Sequence, residues 1–303
     1  MDGFEEVDNI MVFAATNLIK RLDTALTRSG RFDKKIYFDP PNFKERRKMY
    51  ELYFDDIILP NNISFEILSE RSAGLTGADI ATICNQSKIN AIKLDRKMST
   101  VTEKDIQEAI DEIIIGREKR ERMMSPEERN RVSHHEAGHA MMGYILQDCT
   151  HPIKVSIVPR GEAALGFSQQ KNIDKKLYTK NNIKAQIAVC LAGRGAEKII
   201  FGDITTGAED DIEKISNMIY NYSYRWGMNN KIGPLNPLEM GGIGNNISNE
   251  IFTVCKEIVD LIEQKVEQIL KKNKSYMIKL AKLLLKKETI TYSEIVKMLP
   301  KML

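Results

Sequence analysis

Between Ser125 and Leu146 the chain carries the pattern of one well-bounded helix, and that helix restricts what the rest can be. Ser125 is a good N-cap and Pro126 suits the first helical position, where its missing N–H costs nothing. Glu128 stands at the third position, from which its carboxylate reaches back to the cap. Inside this segment lies His135-Glu136-Ala137-Gly138-His139. Residues four apart share a helix face, so the two imidazoles can reach one metal ion, while Glu136 stands beside that ion rather than on it. From there it can take a proton from a water whose acidity the metal has raised, and later return it to a leaving amine. Three of the chain's four histidines, His134, His135 and His139, are gathered here, among apolar Val132, Met141, Met142 and Ile145, as a buried metal helix requires. Gly138 costs about 1 kcal/mol of helix stability relative to alanine, which implies a local need for close approach by a neighbouring segment or a substrate.

A catalytic zinc held in this way needs a third protein ligand and one open position. The continuation that would supply a third histidine demands glycine at 142 and histidine at 145, and the chain has Met142 and Ile145 there. His134 has Gly138 as its partner four residues on, so it reads as a structural or supporting residue. His151, just before Pro152 at the end of a loop, is a minor candidate. The carboxylate candidates are Glu197 in LAGRGAEKIIFGD and the cluster Glu209-Asp210-Asp211 in TTGAEDDIEKI, and spacing alone leaves the choice open.

A chain of 303 residues has room for two or three units, each with its own core. With 45 basic and 42 acidic residues, the net charge of +3 is too small to argue for nucleic acid or a membrane surface. Cys84, Cys149, Cys190 and Cys255 are far apart and form no C-x-x-C pair, so neither a cysteine zinc site nor a disulfide framework is expected, and a reducing compartment is. No apolar run is long enough to span a membrane, and the acidic start lacks the character of a targeting signal.

Residues 10–16, IMVFAAT, read as a strand buried on both faces of a parallel sheet. Helical patterns run from Lys44 to about Gly116, with a turn at Pro60-Asn61-Asn62 and a capping pair at Thr102 and Asp105. The charged stretch 117–122 reads as an exposed linker. Beyond the metal helix, a strand is expected from Lys154 to Val158 and helices around 183–200, 211–225 and 248–272. Two lysine-rich amphipathic helices, 275–286 and 291–299, follow with a short turn between them. Their lysines alternate with Leu, Ile and Met at helical spacing, a solvated face opposite a core stripe, so no nucleic-acid partner is expected. The fold class is therefore mostly α, within α+β.

HHEAGHA, IVPRGEAALGF, LAGRGAEKIIFGD, TTGAEDDI and RWGMNNKIGPL follow one another in an order and at spacings that resemble the FtsH-type AAA+ zinc metalloproteases. The resemblance covers nearly the whole chain and matches the C-terminal two-thirds of that family. It implies that residues 1–42 are the end of an AAA+ α/β nucleotide-binding subdomain, 43–117 a helical AAA+ lid, and 118–303 a largely helical, zincin-like metallopeptidase domain with a small edge strand at its active site. The family's third zinc ligand is the aspartate of G-A-x-N-D-[LI], which falls on Asp211. Asp210 replaces the usual asparagine and remains a rival. Glu197 would then either support the site, orienting a ligand histidine, or serve in helix packing, and 154–170 would be the active-site edge to which an extended substrate adds.

By the same resemblance Asn17 matches a sensor asparagine that orients the attacking water, Arg28 and Arg31 in TRSGRFD match arginine fingers offered to a neighbour's ATP, and Gly77 and Ala78 in GLTGAD belong to the lid segment over the nucleotide. No G-x-x-x-x-G-K-[ST] phosphate loop precedes Asn17, so the chain is expected to be a truncated form in which ATP and Mg2+ belong to the full-length protein only. The implied whole is a hexameric, ATP-dependent zinc endopeptidase acting on unfolded or membrane polypeptides. It would work at a bacterial inner membrane or a mitochondrial or plastid membrane, through an anchor absent from this chain. The alternative, a proteolytically silent assembly or chaperone-like subunit, predicts a damaged metal site, whereas His135, Glu136, His139 and Asp211 are all present.

Overall fold

Asn42 starts the first helix: its side chain accepts from the backbone N–H of Lys44 and Glu45, and the Glu45 carboxylate returns to the Asn42 N–H at 2.8 Å. The computed structural model describes residues 11–57, 59–60, 63–93, 100–119, 124–160, 165–170, 177–236 and 245–299. It divides into two units, Met1–Pro40 and Pro41–Leu303.

In the first unit the described residues form two 3-10 turns, Ile19–Arg21 and Thr24–Thr27. Over 11–16 the described residues do not form the strand expected at 10–16. Residue 10 lies outside the described residues, and 11–16 are irregular, with Met11 77% and Phe13 84% exposed. The apolar run alone does not make a strand, because a strand exists through its ladder of hydrogen bonds, and among the described residues no neighbouring strand offers one.

The second unit opens with four helices, α1 (Phe43–Tyr53), α2 (Phe65–Arg71), α3 (Gly77–Lys93) and α4 (Glu103–Ile115). They share a core of Tyr50, Phe54, Leu68, Ile80, Ile83, Ile106 and Ile110, in which each fully buried aliphatic side chain contributes about 1.5–3 kcal/mol. Arg46 is buried with them, yet its guanidinium is satisfied by the carbonyls of Ser69 at 2.9 Å and Pro41 at 2.7 Å, which ties the start of α1 to the end of α2. The expected Thr102–Asp105 capping box is formed, and α4 stops at Gly116, whose φ of 99° a side chain would resist.

A second core gathers the rest of the unit around α5 (Pro126–Ile145), which begins with the expected Ser125–Glu128 box and Pro126 at its first turn. Residues 133–144 of α5 are buried on every side, so this helix runs through the interior rather than across a surface. It packs against α6 (Lys180–Phe201) and α9 (Lys274–Lys287), with α7 (Glu209–Tyr220), α8 (Asn245–Lys272) and α10 (Tyr292–Met298) completing the layer. One π-helical turn, Asn221–Arg225, follows α7.

The sheet beside α5 has the order β2-β1-β3, all antiparallel, from β1 (Pro152–Ser156), β2 (Phe167–Gln170) and β3 (Thr289–Thr291). The strand read at Lys154–Val158 is central, paired on both sides. The sheet edge that the sequence placed across 154–170 is therefore β2 alone. β3 lies where the sequence pattern shows only a turn between two helices, since three residues are too few to show an alternation. The stretch 117–122 is not free of partners where described: Glu118 bridges to Arg160, and the Lys119 N–H donates to the Pro159 carbonyl at 2.9 Å. Among the described residues no helix is long and apolar enough to cross a membrane.

Candidate metal centre

Gly138 lets the two central helices meet. A Cβ there would stand 2.5 Å from the Ala192 carbonyl oxygen and 2.8 Å from Ala196 Cβ, so α5 and α6 approach backbone to backbone. Gly193, one step along α6, faces both imidazoles, and a Cβ there would lie 2.5 Å from His139 Nε2. These two glycines bring the α6 backbone against the His135–His139 face. Gly138 stands out in the sequence beside the histidines, whereas Gly193 is not singled out by any motif, although a glycine inside the long helix α6 carries the same signal of a helix weakened for a reason.

Both rings are fixed from behind. His135 Nδ1 is 2.6 Å from Glu197 Oε1, and His139 Nδ1 is 2.7 Å from the Val189 carbonyl. Each acceptor takes the Nδ1 proton, so each Nε2 presents a lone pair. Those lone pairs point at one place: His135 Nε2 and His139 Nε2 are 3.0 Å apart, and Asp211 Oδ2 is 3.3 Å from the first and 3.0 Å from the second. Two lone pairs and a carboxylate oxygen do not converge without a cation between them. Ligands held about 2.0–2.1 Å from a tetrahedral zinc lie about 3.3 Å from one another, which these separations approach. The residues therefore fit a zinc ion of the His, His, carboxylate type.

The competitor for that place is a proton. Burial works against charging His135, but hydrogen bonds to Asp211 and Glu197 outweigh it and push its pKa up to about 10. Burial likewise opposes ionisation of Asp211, while the His139 and His135 rings hold its carboxyl well below the usual range. Asp211 sits in the first turn of α7, where the helix N-terminus also favours negative charge. Glu197 is kept ionised against its burial by His135 and by the Thr205 N–H, which donates to Oε2 at 2.9 Å.

Glu136 is 6% exposed, and its Oε2 has no hydrogen-bond partner among the described residues. Burial raises its pKa, with His139 and His135 pulling the other way. Gly166, just before β2, comes so near that a Cβ would be 2.8 Å from Glu136 Oε1, which brings the sheet edge next to this carboxylate. The cleft they share is about 1150 Å³.

Of the other sequence candidates, Asp210 lines the cleft but is exposed and stands outside the three-residue cluster of His135, His139 and Asp211. His151 is stacked on Tyr292 at 5.5 Å, away from that cluster, and His134 turns to the Asn130 carbonyl and the Phe201 ring. In the first unit Asn17, Arg28 and Arg31 are all exposed, and the Arg31 N–H donates to the Arg28 carbonyl at 3.2 Å. Gly77 and Ala78 form the first turn of α3, where Asp79 caps the Thr76 N–H at 2.8 Å.

Residues 122–298 match the model of peptidase family M41, residues 62–108 that of the AAA+ lid domain, and residues 1–40 that of the ATPase family associated with various cellular activities (AAA). An ATP-dependent zinc metalloprotease FtsH of Rhodothermus marinus is 35% identical over 309 residues, covering 99% of this chain and 44% of that protein. One from Syntrophobacter fumaroxidans is 36% identical, over 97% of this chain and 48% of that protein. The mitochondrial ATP-dependent zinc metalloprotease FTSH 3 of Oryza sativa subsp. japonica is 35% identical, over 99% and 38%. The chain thus spans about half the length of the curated relatives it matches, or less. With the family match reaching over more than half of the residues, and with the two-histidine helix and its carboxylates inside it, the chain belongs to peptidase family M41.

Proposed function

We propose that this chain carries the proteolytic centre of an ATP-dependent zinc endopeptidase, with His135, His139 and Asp211 as metal ligands and Glu136 as general base. The observation that carries it is the convergence of His135 Nε2, His139 Nε2 and Asp211 Oδ2 beside the unpartnered Oε2 of Glu136. A bound zinc would supply Lewis acidity, lowering the pKa of a water and polarising a peptide carbonyl. Glu136 holds the proton taken from that water and, its basicity raised by burial, hands it on to the leaving amine. Glu197 and the Val189 carbonyl keep the imidazoles aimed. Among the described residues the outer edge of β2 is unpaired, and it offers main-chain donors and acceptors to an extended polypeptide, a mode that suits substrates of many sequences.

The division into 1–42, 43–117 and 118–303 follows the same reading, with the first two parts belonging to the ATPase. There Asn17, Arg28 and Arg31 would serve ATP bound between neighbouring subunits, and Gly77 and Ala78 the lid over it. Polypeptide substrates fit the relatives' printed description as ATP-dependent zinc metalloproteases; that these are unfolded or membrane polypeptides, that the ring is a homo-hexamer, and that it works at a bacterial, mitochondrial or plastid membrane are parts of the same proposal. A silent subunit is not favoured, since every residue of the metal cluster is in place.

The test is zinc content and casein hydrolysis, side by side, for the wild type, Glu136→Gln and Asp211→Ala. The wild type should hold about one zinc and cleave casein. Glu136→Gln should keep the metal and lose about 10²–10⁴-fold in rate, and Asp211→Ala should lose the metal. A wild type that takes up no zinc would overturn the reading.

A further inference from the structure

α4 does more than close the helical core. Asp111, 3% exposed, projects from it into an ion pair with Lys154 of β1, and its carboxylate is 3.5 Å from the Arg160 guanidinium. Both cations lie over the Phe167 ring of β2, Lys154 Nζ at 6.0 Å and Arg160 Cζ at 5.7 Å from its centroid. A buried carboxylate on the last helix of the helical core is thus fastened, through two cations, to the strand that borders Glu136. Breaking such a buried pair leaves an uncompensated charge, so the fastening is firm.

Ile114 and Ile115 come three and four residues after Asp111, on the helix face that turns toward β1 and β2. Both line the same cleft as His135, Glu136, His139 and Asp211, and Phe167 lines it with them. Main-chain pairing along β2 would accept any sequence, so discrimination between peptides has to come from side-chain pockets next to the strand. Ile114, Ile115 and Phe167 are apolar members of that lining, and a peptide side chain that reached them would meet apolar surface.

We propose that Ile114 and Ile115 are specificity-determining residues of the peptide cleft, forming with Phe167 a subsite for one apolar side chain of the substrate, and that Asp111 is the positioning residue that holds them there. The proposal rests on the peptidase reading of the cleft. It makes a helix whose first half lies in the stretch matching the AAA+ lid part of the peptidase's recognition surface.

The experiment reads binding rather than cleavage. Zinc-loaded Glu136→Gln protein is titrated, by fluorescence anisotropy, with labelled alanine-rich octapeptides in which one leucine is moved along the sequence. Leucine at one position should tighten binding about tenfold over the all-alanine peptide. Ile114→Ala combined with Ile115→Ala should erase that gain and leave the all-alanine peptide unchanged. Asp111→Asn should diminish the gain at unaltered zinc content, and Asp111→Glu should restore part of it. Ile114 is 40% exposed, so its replacement should not unfold the helix, and circular dichroism checks this. A leucine gain that survives in the double variant, a parallel weakening of both peptides, or no binding of either overturns the proposal. A wild type that binds these peptides selectively but cleaves nothing would count against the peptidase reading alone.

Discussion

Gly193 and His139 are held so close that a Cβ on the glycine would lie 2.5 Å from the imidazole Nε2, the atom facing Asp211. Gly193→Ala should therefore lower zinc affinity about 10- to 100-fold, the loss typical when a metal ligand's support is disturbed. Helix content should not fall, because alanine is the better helix former by about 1 kcal/mol. Competition with a chromophoric chelator, alongside far-UV circular dichroism, separates the two effects.

Glu197 joins His135 to the Thr205 backbone, and its variants should be graded. Glu197→Gln keeps an acceptor but loses the charge, and should cost about tenfold in zinc affinity. Glu197→Ala removes both contacts and should cost about 100-fold. Equal affinities for all three proteins would mean that the carboxylate only packs.

Stability should respond to pH in opposite senses with and without metal. In chelator-treated protein, burial opposes the charge on His135, but Asp211 and Glu197 raise its pKa from 6.5 to about 10. A raised folded pKa gives stability that is fully present below the unfolded value and is lost as pH climbs from about 6.5 toward 10. Asp211 shifts the other way, so its contribution is present above the ordinary aspartate pKa and is lost as pH falls below it. Zinc must displace the His135 proton, so the protection it gives should grow with pH. Urea midpoints with and without chelator, at about pH 6, 7.5 and 9, would show the two trends, and parallel curves would refute them.

Gly138→Ala sets helix propensity against packing. Propensity favours alanine by about 1 kcal/mol, but the new methyl group meets the Ala192 carbonyl and Ala196 Cβ, where overpacking costs about 1–3 kcal/mol and backbone cannot move aside cheaply. A net loss of stability is expected, visible as a lower thermal midpoint.

The parts of the molecule that local rules govern could be read in advance. The Ser125 and Thr102 boxes start their helices where the residues say, and the two histidines four apart do share a face. Asp211 came from a motif, not from spacing, because the turn that carries it to the histidines is a tertiary fact. The same limit hid Gly193, the Val189 carbonyl and β3, all of which act on residues at least about 50 positions away. The run at 10–16 failed in the opposite direction. Its apolar character was real, but a strand needs partners that composition does not reveal.

β2 is four residues long, and among the described residues its outer side pairs with nothing. A guest strand on so short an edge gains about three or four backbone hydrogen bonds at about 1 kcal/mol each, which by itself is only about millimolar affinity. On the proposed peptidase reading such a weak grip would have a use: severed fragments would fall away quickly and not clog the cleft. Retention of a long polypeptide between successive cuts would then have to come from whatever holds the remainder of that polypeptide.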